Sequence, residues 1–173
     1  MRNLALVCVL FWTLFLSGCV TLSLYPLYTE KDLVADLPLE GKWTDPSSKE
    51  TWDIRRGGDG YVVMGQDGEA VKLRLVRLGE RRFMDLTAND TPSLAIAGHM
   101  FGKVWIAGDE LHLQMMDSDW LEKKARAGGV AFVELPDKDV LLTAPTAALQ
   151  DLVLHAGDDA FNEPGVLRRV AVK

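Results

Sequence analysis

Cysteine is nearly absent from this chain. The two cysteines, Cys8 and Cys19, both lie within the first 19 residues, and residues 20–173 contain none. A domain folded from residues 20–173 can therefore form no disulfide, no zinc site with thiolate ligands and no cysteine nucleophile. Such a domain depends on an ordinary hydrophobic core for its stability.

An excess of positive charge is also absent. The chain has 19 Lys and Arg against 25 Asp and Glu, which gives a formal net charge of −6. A nucleic-acid-binding surface or a polybasic membrane patch needs clustered positive charge. We therefore expect no nucleic-acid partner.

Catalytic motifs are missing from the sequence. No serine lies in a Gly-x-Ser-x-Gly or Ser-x-x-Lys pattern. The run Gly57-Gly58-Asp59-Gly60 lacks the lysine and the following helix of a phosphate loop, so we predict a hairpin turn. Asp117 and Asp119 precede a predicted helix, where helix capping explains them. We expect no catalytic residue and no enzyme.

The three histidines do not have the spacing of a metal site. A hairpin turn at Gly108-Asp109 places Trp105 opposite His112, and His99 then lies ~20 Å away at 3.3 Å per strand residue. One metal ion cannot bridge that separation, and His155 falls on a different element. We expect exposed or hydrogen-bonded histidines, with no metal and no cofactor.

The N-terminus has the pattern of an export signal. Met1-Arg2-Asn3 carries a positive charge, and Leu4–Leu16 is an apolar run too short to cross a bilayer as a permanent helix. Leu16-Ser17-Gly18-Cys19 resembles the lipobox of bacterial lipoproteins. The resemblance implies diacylglycerol on the Cys19 thiol, cleavage after Gly18, and acylation (palmitate labelling) of the new amino terminus. An ordinary secretory signal with a chance cysteine is the alternative.

The same resemblance implies a location. In lipoprotein sorting, a residue other than aspartate after the lipidated cysteine, here Val20, implies the outer membrane with the domain facing the periplasm. At ~0.8 kcal/mol per buried CH₂, two or more acyl chains make a nearly permanent anchor. We expect a signal peptide over residues 1–18, a lipidated tether and short helix over 19–38, and a single β-barrel-like domain over 39–173.

Glycine-containing turns predict successive antiparallel hairpins. Asp67-Gly68, Gly79-Glu80 and Gly108-Asp109 are predicted as two-residue turns, and Gly58-Asp59-Gly60 as a three-residue loop. One of these turns also places Arg74 opposite Asp85. On the other face the turns predict apolar cross-strand pairs: Ile54–Met64, Met64–Val71, Val62–Leu73, Leu73–Leu86, Leu75–Met84, Val104–Leu113 and Gly102–Met115.

Helical signals are confined to three segments. Thr29 begins a capped single turn, Asp117 or Ser118 caps a short helix, and Thr146 caps the last helix. Gly128-Gly129 and Gly157 are the expected stops. Short strands are expected over 130–135, 140–143 and 166–172.

Successive hairpins with one apolar face must close or stack to bury that face. We predict a mainly β fold, an antiparallel meander that closes into a small barrel with two short helices. A β-sandwich is the alternative. Gly41-Lys42-Trp43 resembles the Gly-x-Trp signature of the lipocalins, whose barrels also end with a helix and a last strand. The resemblance implies that Arg168 or Arg169 covers Trp43. The helix after Asp117 departs from the lipocalin order of elements.

The predicted inner face is almost wholly apolar. An eight-strand barrel is either filled by its own side chains or holds one small ligand, and methionine suits both cases. The sequence leaves the two open. If a cavity exists, we expect its wall to include Met64, Leu73, Leu75, Met84, Val104, Leu113 and Met115.

Two functions follow for a membrane-anchored envelope lipoprotein of this kind. The first is to carry or sense an apolar small molecule inside the barrel. The second is to serve as a scaffold whose mixed face around Phe101, Lys103 and Trp105 docks another envelope protein. In both cases the membrane is a partner through the covalent lipid on Cys19.

Overall fold

A computed structural model describes residues 21–88 and 98–171. Eight of its strands form a barrel: β3 (Gly41–Thr44), β4 (Thr51–Gly57), β5 (Gly60–Met64), β6 (Ala70–Leu78), β7 (Arg81–Ala88), β8 (Met100–Ala107), β9 (Glu110–Met115) and β12 (Gly165–Arg169). They pair in this order, β12 pairs back with β3 to close the barrel, and every neighbouring pair is antiparallel. The predicted barrel is confirmed and the sandwich alternative is wrong.

The remaining elements pack on the outside of this barrel or extend its sheet. β2 (Leu33–Val34) pairs with β6 beyond the end of β5. A separate three-stranded sheet contains β1 (Leu22–Ser23), β10 (Phe132–Glu134) and β11 (Val140–Leu142). The two helices are α1 (Ser118–Arg126) and α2 (Thr146–His155), with 3-10 turns at Glu30–Asp32 and Asp158–Ala160.

Two of the predicted hairpins have the expected register. Across the Gly79-Glu80 turn, Leu75 lies opposite Met84 and Leu73 opposite Leu86. Across the Gly108-Asp109 turn, Val104 lies opposite Leu113 and Gly102 opposite Met115. Gly79 and Gly108 have φ of +60° and +64°, the left-handed backbone that these two-residue turns require. These two register predictions are confirmed.

Strand β5 is displaced by one residue from its predicted register. The loop before it is Gly58-Asp59 alone, because Gly57 pairs with Gly60 and Ile54 lies opposite Val63, not Met64. The loop after it has three residues, since Gly65 donates to the carbonyl of Glu69 and Gly68 has φ +85°. A slip of one residue turns every side chain of a strand to the other face.

The inward residues of β5 are therefore Tyr61 and Val63. They lie opposite Leu73 and Val71, respectively. The predicted inward pair, Val62 and Met64, faces out. The predicted pairs Ile54–Met64, Met64–Val71 and Val62–Leu73 are thus wrong.

The helices begin and end close to their predicted positions. The Asp117 side chain caps α1, accepting from Trp120 N at 2.7 Å, and Gly128 beyond its end has φ +79°. The N-cap of α2 is Pro145, and the Thr146 hydroxyl donates to the Pro26 carbonyl instead of capping the helix. The Thr29 turn has its predicted cap, in which the Asp32 carboxylate accepts from the backbone N–H of Thr29 at 2.8 Å.

Two apolar layers build the core. The inner layer fills part of the barrel and includes Trp43, Leu75, Val104 and Leu111. The outer layer forms between the helices and the outer face of the strands β6 to β8. Its members include Leu27, Val76, Leu78, Phe83, Phe101, Leu121, Leu149, Val153 and Phe161.

From Thr21 onward the N-terminal segment belongs to the folded body and contains the predicted short helix as the 3-10 turn Glu30–Asp32, so residues 21–38 are not the predicted tether. β1 pairs in parallel with β11, and Ser23 exchanges backbone hydrogen bonds of 2.9 Å with His99. Leu27 is completely buried in the outer layer. The domain therefore begins by Thr21 and not at residue 39.

Candidate functional site

One end of the barrel is closed around Trp43. Its indole N–H donates to the Leu39 carbonyl at 2.7 Å, and the side chain has no solvent exposure. The Arg169 guanidinium carbon lies 4.3 Å from the Trp43 ring centroid. The same guanidinium donates to the carbonyl of Glu40 at 2.8 Å and to that of Pro38.

Arg169, and not Arg168, is thus the arginine that covers the tryptophan. Gly41 allows this packing, because its φ is +126° and a β-carbon there would lie 3.1 Å from the guanidinium. Arg168 instead pairs with Glu110 on the neighbouring strand at 3.0 Å. The Gly41-Lys42-Trp43 motif and Arg169 together seal this end.

The opposite half of the barrel contains a cavity of about 290 Å³. Its size is near the lower limit of small-molecule sites, roughly 300 Å³. Most of the wall is apolar and comes from the inner face of the strands. The barrel residues that line it include Trp52, Ile54, Val63, Leu73, Met84, Leu86, Met100, Leu113, Met115 and Leu167.

The structure divides the seven predicted cavity residues into three groups. Leu73, Met84, Leu113 and Met115 line the cavity. Leu75 and Val104 face inward but lie in the filled half, at 1% and 2% exposure. Met64 faces out, because β5 has the other register. The sequence missed Val63 and Trp52; the αL position of Gly68 in a three-residue loop is the signal that could have placed Val63 inward.

The cavity is not confined to strand residues. Thr21, Ser118 of α1 and Leu142 of β11 also line it, and Asp45, Asn162 and Glu163 supply further polar groups. Within the described parts of the chain no basic residue is among its lining residues. The cavity is therefore an apolar space with a hydroxyl- and carboxylate-bearing border.

The carboxylates near the open end have opposite pKa shifts. Burial raises the pKa of Asp45, but hydrogen bonds from Ser47 and Ser48 outweigh it and leave that pKa below its usual value. Burial raises the pKa of Glu50, and the neighbouring Asp45, Asp67 and Glu69 raise it further. Asp45, Glu50, Asp67 and Glu69 therefore lie close enough at this end to influence one another, and Lys49 lies in the same loop.

A second polar feature is a buried carboxylate on the outer face. Asp85 is 2% exposed, lies 2.7 Å from Nδ1 of His99 and accepts from the backbone N–H of Leu27 at 2.8 Å. The register places Arg74 opposite Asp85 as predicted. The side chains do not pair: Arg74 binds Asp59, with its shorter bond at 2.6 Å.

The opposite charges that the hairpin register brings face to face, Arg74 and Asp85, thus do not form an ion pair, and Asp85 has other partners. Asp85 and His99 instead hold the N-terminal segment against strands β7 and β8. Their pairing satisfies a buried carboxylate and a buried backbone N–H together, as burial requires. We assign these two residues a structural role.

The predicted docking face is partly covered by the chain itself. Phe101 is 3% exposed beneath the helical layer. The Lys103 ammonium lies 3.9 Å from the Phe161 ring centroid and 3.1 Å from Asp158. Trp105 stacks on His112 with a centroid separation of 4.9 Å. Phe101 is thus unavailable to a docking protein.

The lipobox and Cys19 lie outside the described residues. Over the part of the chain that the structure covers, no helix is long and apolar enough to span a membrane. No group of three or more potential metal ligands occurs within residues 21–88 and 98–171.

The chain matches no protein family, no curated protein and no solved structure.

Proposed function

We propose that this protein is a periplasm-facing lipoprotein, anchored through lipid on Cys19, that binds a small apolar molecule in the open half of its barrel. The cavity of about 290 Å³ between inward Leu, Met and Trp side chains is the observation that supports binding. Burial of apolar surface contributes about 25 cal/mol per Å². No strand residue on its wall bears a charge, so the site favours an apolar guest.

Binding is tested with a non-lipidated form, Cys19→Ala exported behind an ordinary signal peptide. A fluorescent naphthylamine or fatty-acid probe should bind it at one site. Leu113→Trp should abolish binding, because Leu113 lines the cavity and the larger ring fills its volume. Val133→Trp is the matched control, since Val133 is exposed on β10, away from the cavity.

Loss of probe binding in Leu113→Trp can be distinguished from a folding defect by the stability of the variants. Both variants should unfold at nearly the urea concentration of the parent protein. If Leu113→Trp lowers stability by ~1–3 kcal/mol, as overpacking does, and the parent binds no probe, the cavity does not function and the binding proposal is wrong.

The anchor is tested separately. The natural chain should incorporate labelled palmitate and partition into detergent, and Cys19→Ala should do neither. In a sucrose gradient we expect the outer-membrane fraction, because Val20 follows the cysteine. A soluble, unlabelled natural protein would contradict the anchor, and a peak in the inner membrane would contradict only the sorting.

A further inference from the structure

The first described residues are fixed at the cavity. Thr21, only 7% exposed, lines it. Its N–H donates to the Ser118 hydroxyl and its own hydroxyl donates to the Ser118 carbonyl, both at 3.2 Å. Ser23 pairs with His99 and Leu24 N donates to the Leu142 carbonyl at 2.8 Å. The chain therefore has no slack between Thr21 and the barrel.

Covalent geometry limits how far a lipid on Cys19 can be from this point. Two extended residues span at most about 7 Å, so a lipid on Cys19 would begin within that distance of Thr21 on the cavity wall. A long flexible tether would leave the domain free to rotate over the membrane. Because Thr21 is held on the cavity wall, a lipid on Cys19 would have no such tether and would lie near the open half of the barrel, away from the Trp43 end.

We infer that the open end of the barrel is held against the bilayer and that the cavity takes an acyl chain of a membrane lipid directly from it. This inference rests on the proposed function, both on the lipid at Cys19 and on apolar binding. The cavity of about 290 Å³ is near the lower limit of small-molecule sites, so it has room for part of one acyl chain.

The border of the cavity indicates which headgroup fits. Asp45 and Glu163 are the charged groups among its described lining residues, with Ser118 and Asn162 as neutral hydrogen-bonding groups. Carboxylates attract an ammonium group and repel a phosphate whose charge no ammonium group balances. The chemistry therefore favours a lipid with an ammonium headgroup, such as phosphatidylethanolamine, over an anionic one such as phosphatidylglycerol.

Orientation is measured on the full lipidated protein in vesicles of these two lipids that also contain a headgroup-attached energy acceptor. The chain has no cysteine after Cys19, so a single fluorophore is placed by Ser48→Cys at the open end or by Asp109→Cys at the turn of the closed end. These sites lie roughly 20 Å apart along tilted strands. Energy transfer should be clearly stronger from Ser48→Cys. Equal transfer, or stronger transfer from Asp109→Cys, would overturn the inference.

Uptake is measured with photoactivatable acyl chains on each lipid. Crosslinks should form at Leu113 and Met115, and more with phosphatidylethanolamine. The control inserts about 30 Gly and Ser residues between Val20 and Thr21, a flexible span of about 30 Å. It keeps the lipid but should reduce the crosslink yield roughly tenfold, because the effective concentration falls with tether length. Equal yields with and without the insert would overturn direct uptake.

These outcomes are separable from failure of the proposed function. If the non-lipidated form binds no probe, or the natural chain is not lipidated, the proposed function fails first. If both hold but the label positions are equivalent, only the present inference fails. A further outcome is that the lipidated protein binds no probe, even in detergent free of lipid, although the non-lipidated form does. The protein's own acyl chain would then fill the cavity, and uptake from the membrane would be overturned.

Discussion

The two halves of the barrel are built from the same strands but differ in what fills them. Toward the closed end, Leu111 and Trp43 have no exposed surface and Leu75 has 1%. Toward the open end, the same face of β9 presents Leu113 and Met115 to a cavity. The alternation of side chains along a strand therefore decides which of them face the interior of the barrel. It does not decide whether those side chains pack against one another or leave a cavity.

The chain that crosses each end accounts for the difference. At the closed end Leu39 packs on the interior and receives the Trp43 hydrogen bond, and Arg169 covers the ring. The open end is bordered by polar turns and by Thr21 and Ser118. Among the residues that the structure describes, no such plug fills this end, and a ligand-sized space remains between the strands.

The largest expected loss of stability comes from removing the Trp43 side chain at the closed end. Trp43→Ala should lower the free energy of unfolding by about 3–5 kcal/mol, as large-to-small core changes do. Trp52→Ala, directly opposite on β4 but bordering the cavity, should cost clearly less. Urea unfolding of both variants measures the difference. A loss below about 1 kcal/mol for Trp43→Ala would match an exposed side chain and contradict the closed end.

A closer comparison uses two leucines on one strand. Leu111→Ala removes a side chain packed on all sides and should cost about 2–5 kcal/mol. Leu113→Ala, two residues along β9, should cost less because Leu113 already borders empty space. Equal losses, measured by chemical denaturation, would mean that the cavity is filled in solution.

Arg169 and Arg168 give a matched pair at the closed end. Arg169→Ala should cost about 1–3 kcal/mol, because it removes the stacking on Trp43 and two charge-assisted hydrogen bonds. Arg168→Ala removes one exposed ion pair with Glu110 and should stay within about 1 kcal/mol. Thermal unfolding compares them, and a reversed order would show that Arg169 does not seal the barrel.

The smallest effect is a difference in pH dependence between the two ends. At the closed end, a hydrogen bond from Arg82 lowers the pKa of Asp36 most strongly. Burial opposes this effect, a hydrogen bond from Arg77 adds to it, and the pKa of Asp36 stays below its usual value. That stabilisation is present above the pKa of the unfolded carboxyl and is lost as the pH falls through the folded pKa. Asp36→Asn should therefore cost up to about 1 kcal/mol at neutral pH and nothing in strong acid.

Glu50 at the open end should behave in the opposite way. Its pKa is raised, first by burial and then by nearby carboxylates, so ionisation destabilises the folded state as the pH rises. Glu50→Gln should stabilise the protein slightly at neutral pH, by no more than about 0.5 kcal/mol. Urea unfolding of both variants at acid and neutral pH measures these effects. If Asp36→Asn and Glu50→Gln change the free energy of unfolding in the same direction at neutral pH, the predicted contrast between the two ends is wrong.

Sequence reasoning succeeded where local chemistry fixes a turn. Gly79-Glu80 and Gly108-Asp109 each have glycine at a position that needs left-handed backbone, and this sets the register of four strands. Sequence reasoning failed at β5, because the glycines before and after this strand fit loops of either two or three residues. The predicted loop was one residue too long before β5 and one residue too short after it. The two errors cancelled beyond β5, so the inward faces of β4 and β6 were predicted correctly.

Other features had no local signal. Asp85 lies opposite Arg74 along the backbone, yet its partners Leu27 and His99 come from segments 58 and 14 residues away. The segment before residue 39 resembles a tether in sequence. Its strand pairing with β11, its hydrogen bonds to His99 and the burial of Leu27 show that it belongs to the domain. Such pairings depend on which distant surfaces meet.

The sequence by itself determined a mainly β chain with alternating apolar strands, two short helices, a tryptophan near the start of the barrel and a covering arginine near its end. Turn chemistry and side-chain period are local, so one sequence carries them. The tertiary structure alone decided that Arg169 and not Arg168 covers Trp43, that β5 turns Val63 inward, and that the described residues leave a cavity in one half of the barrel. These outcomes depend on how distant elements pack and on the volume left between them, which no local pattern records.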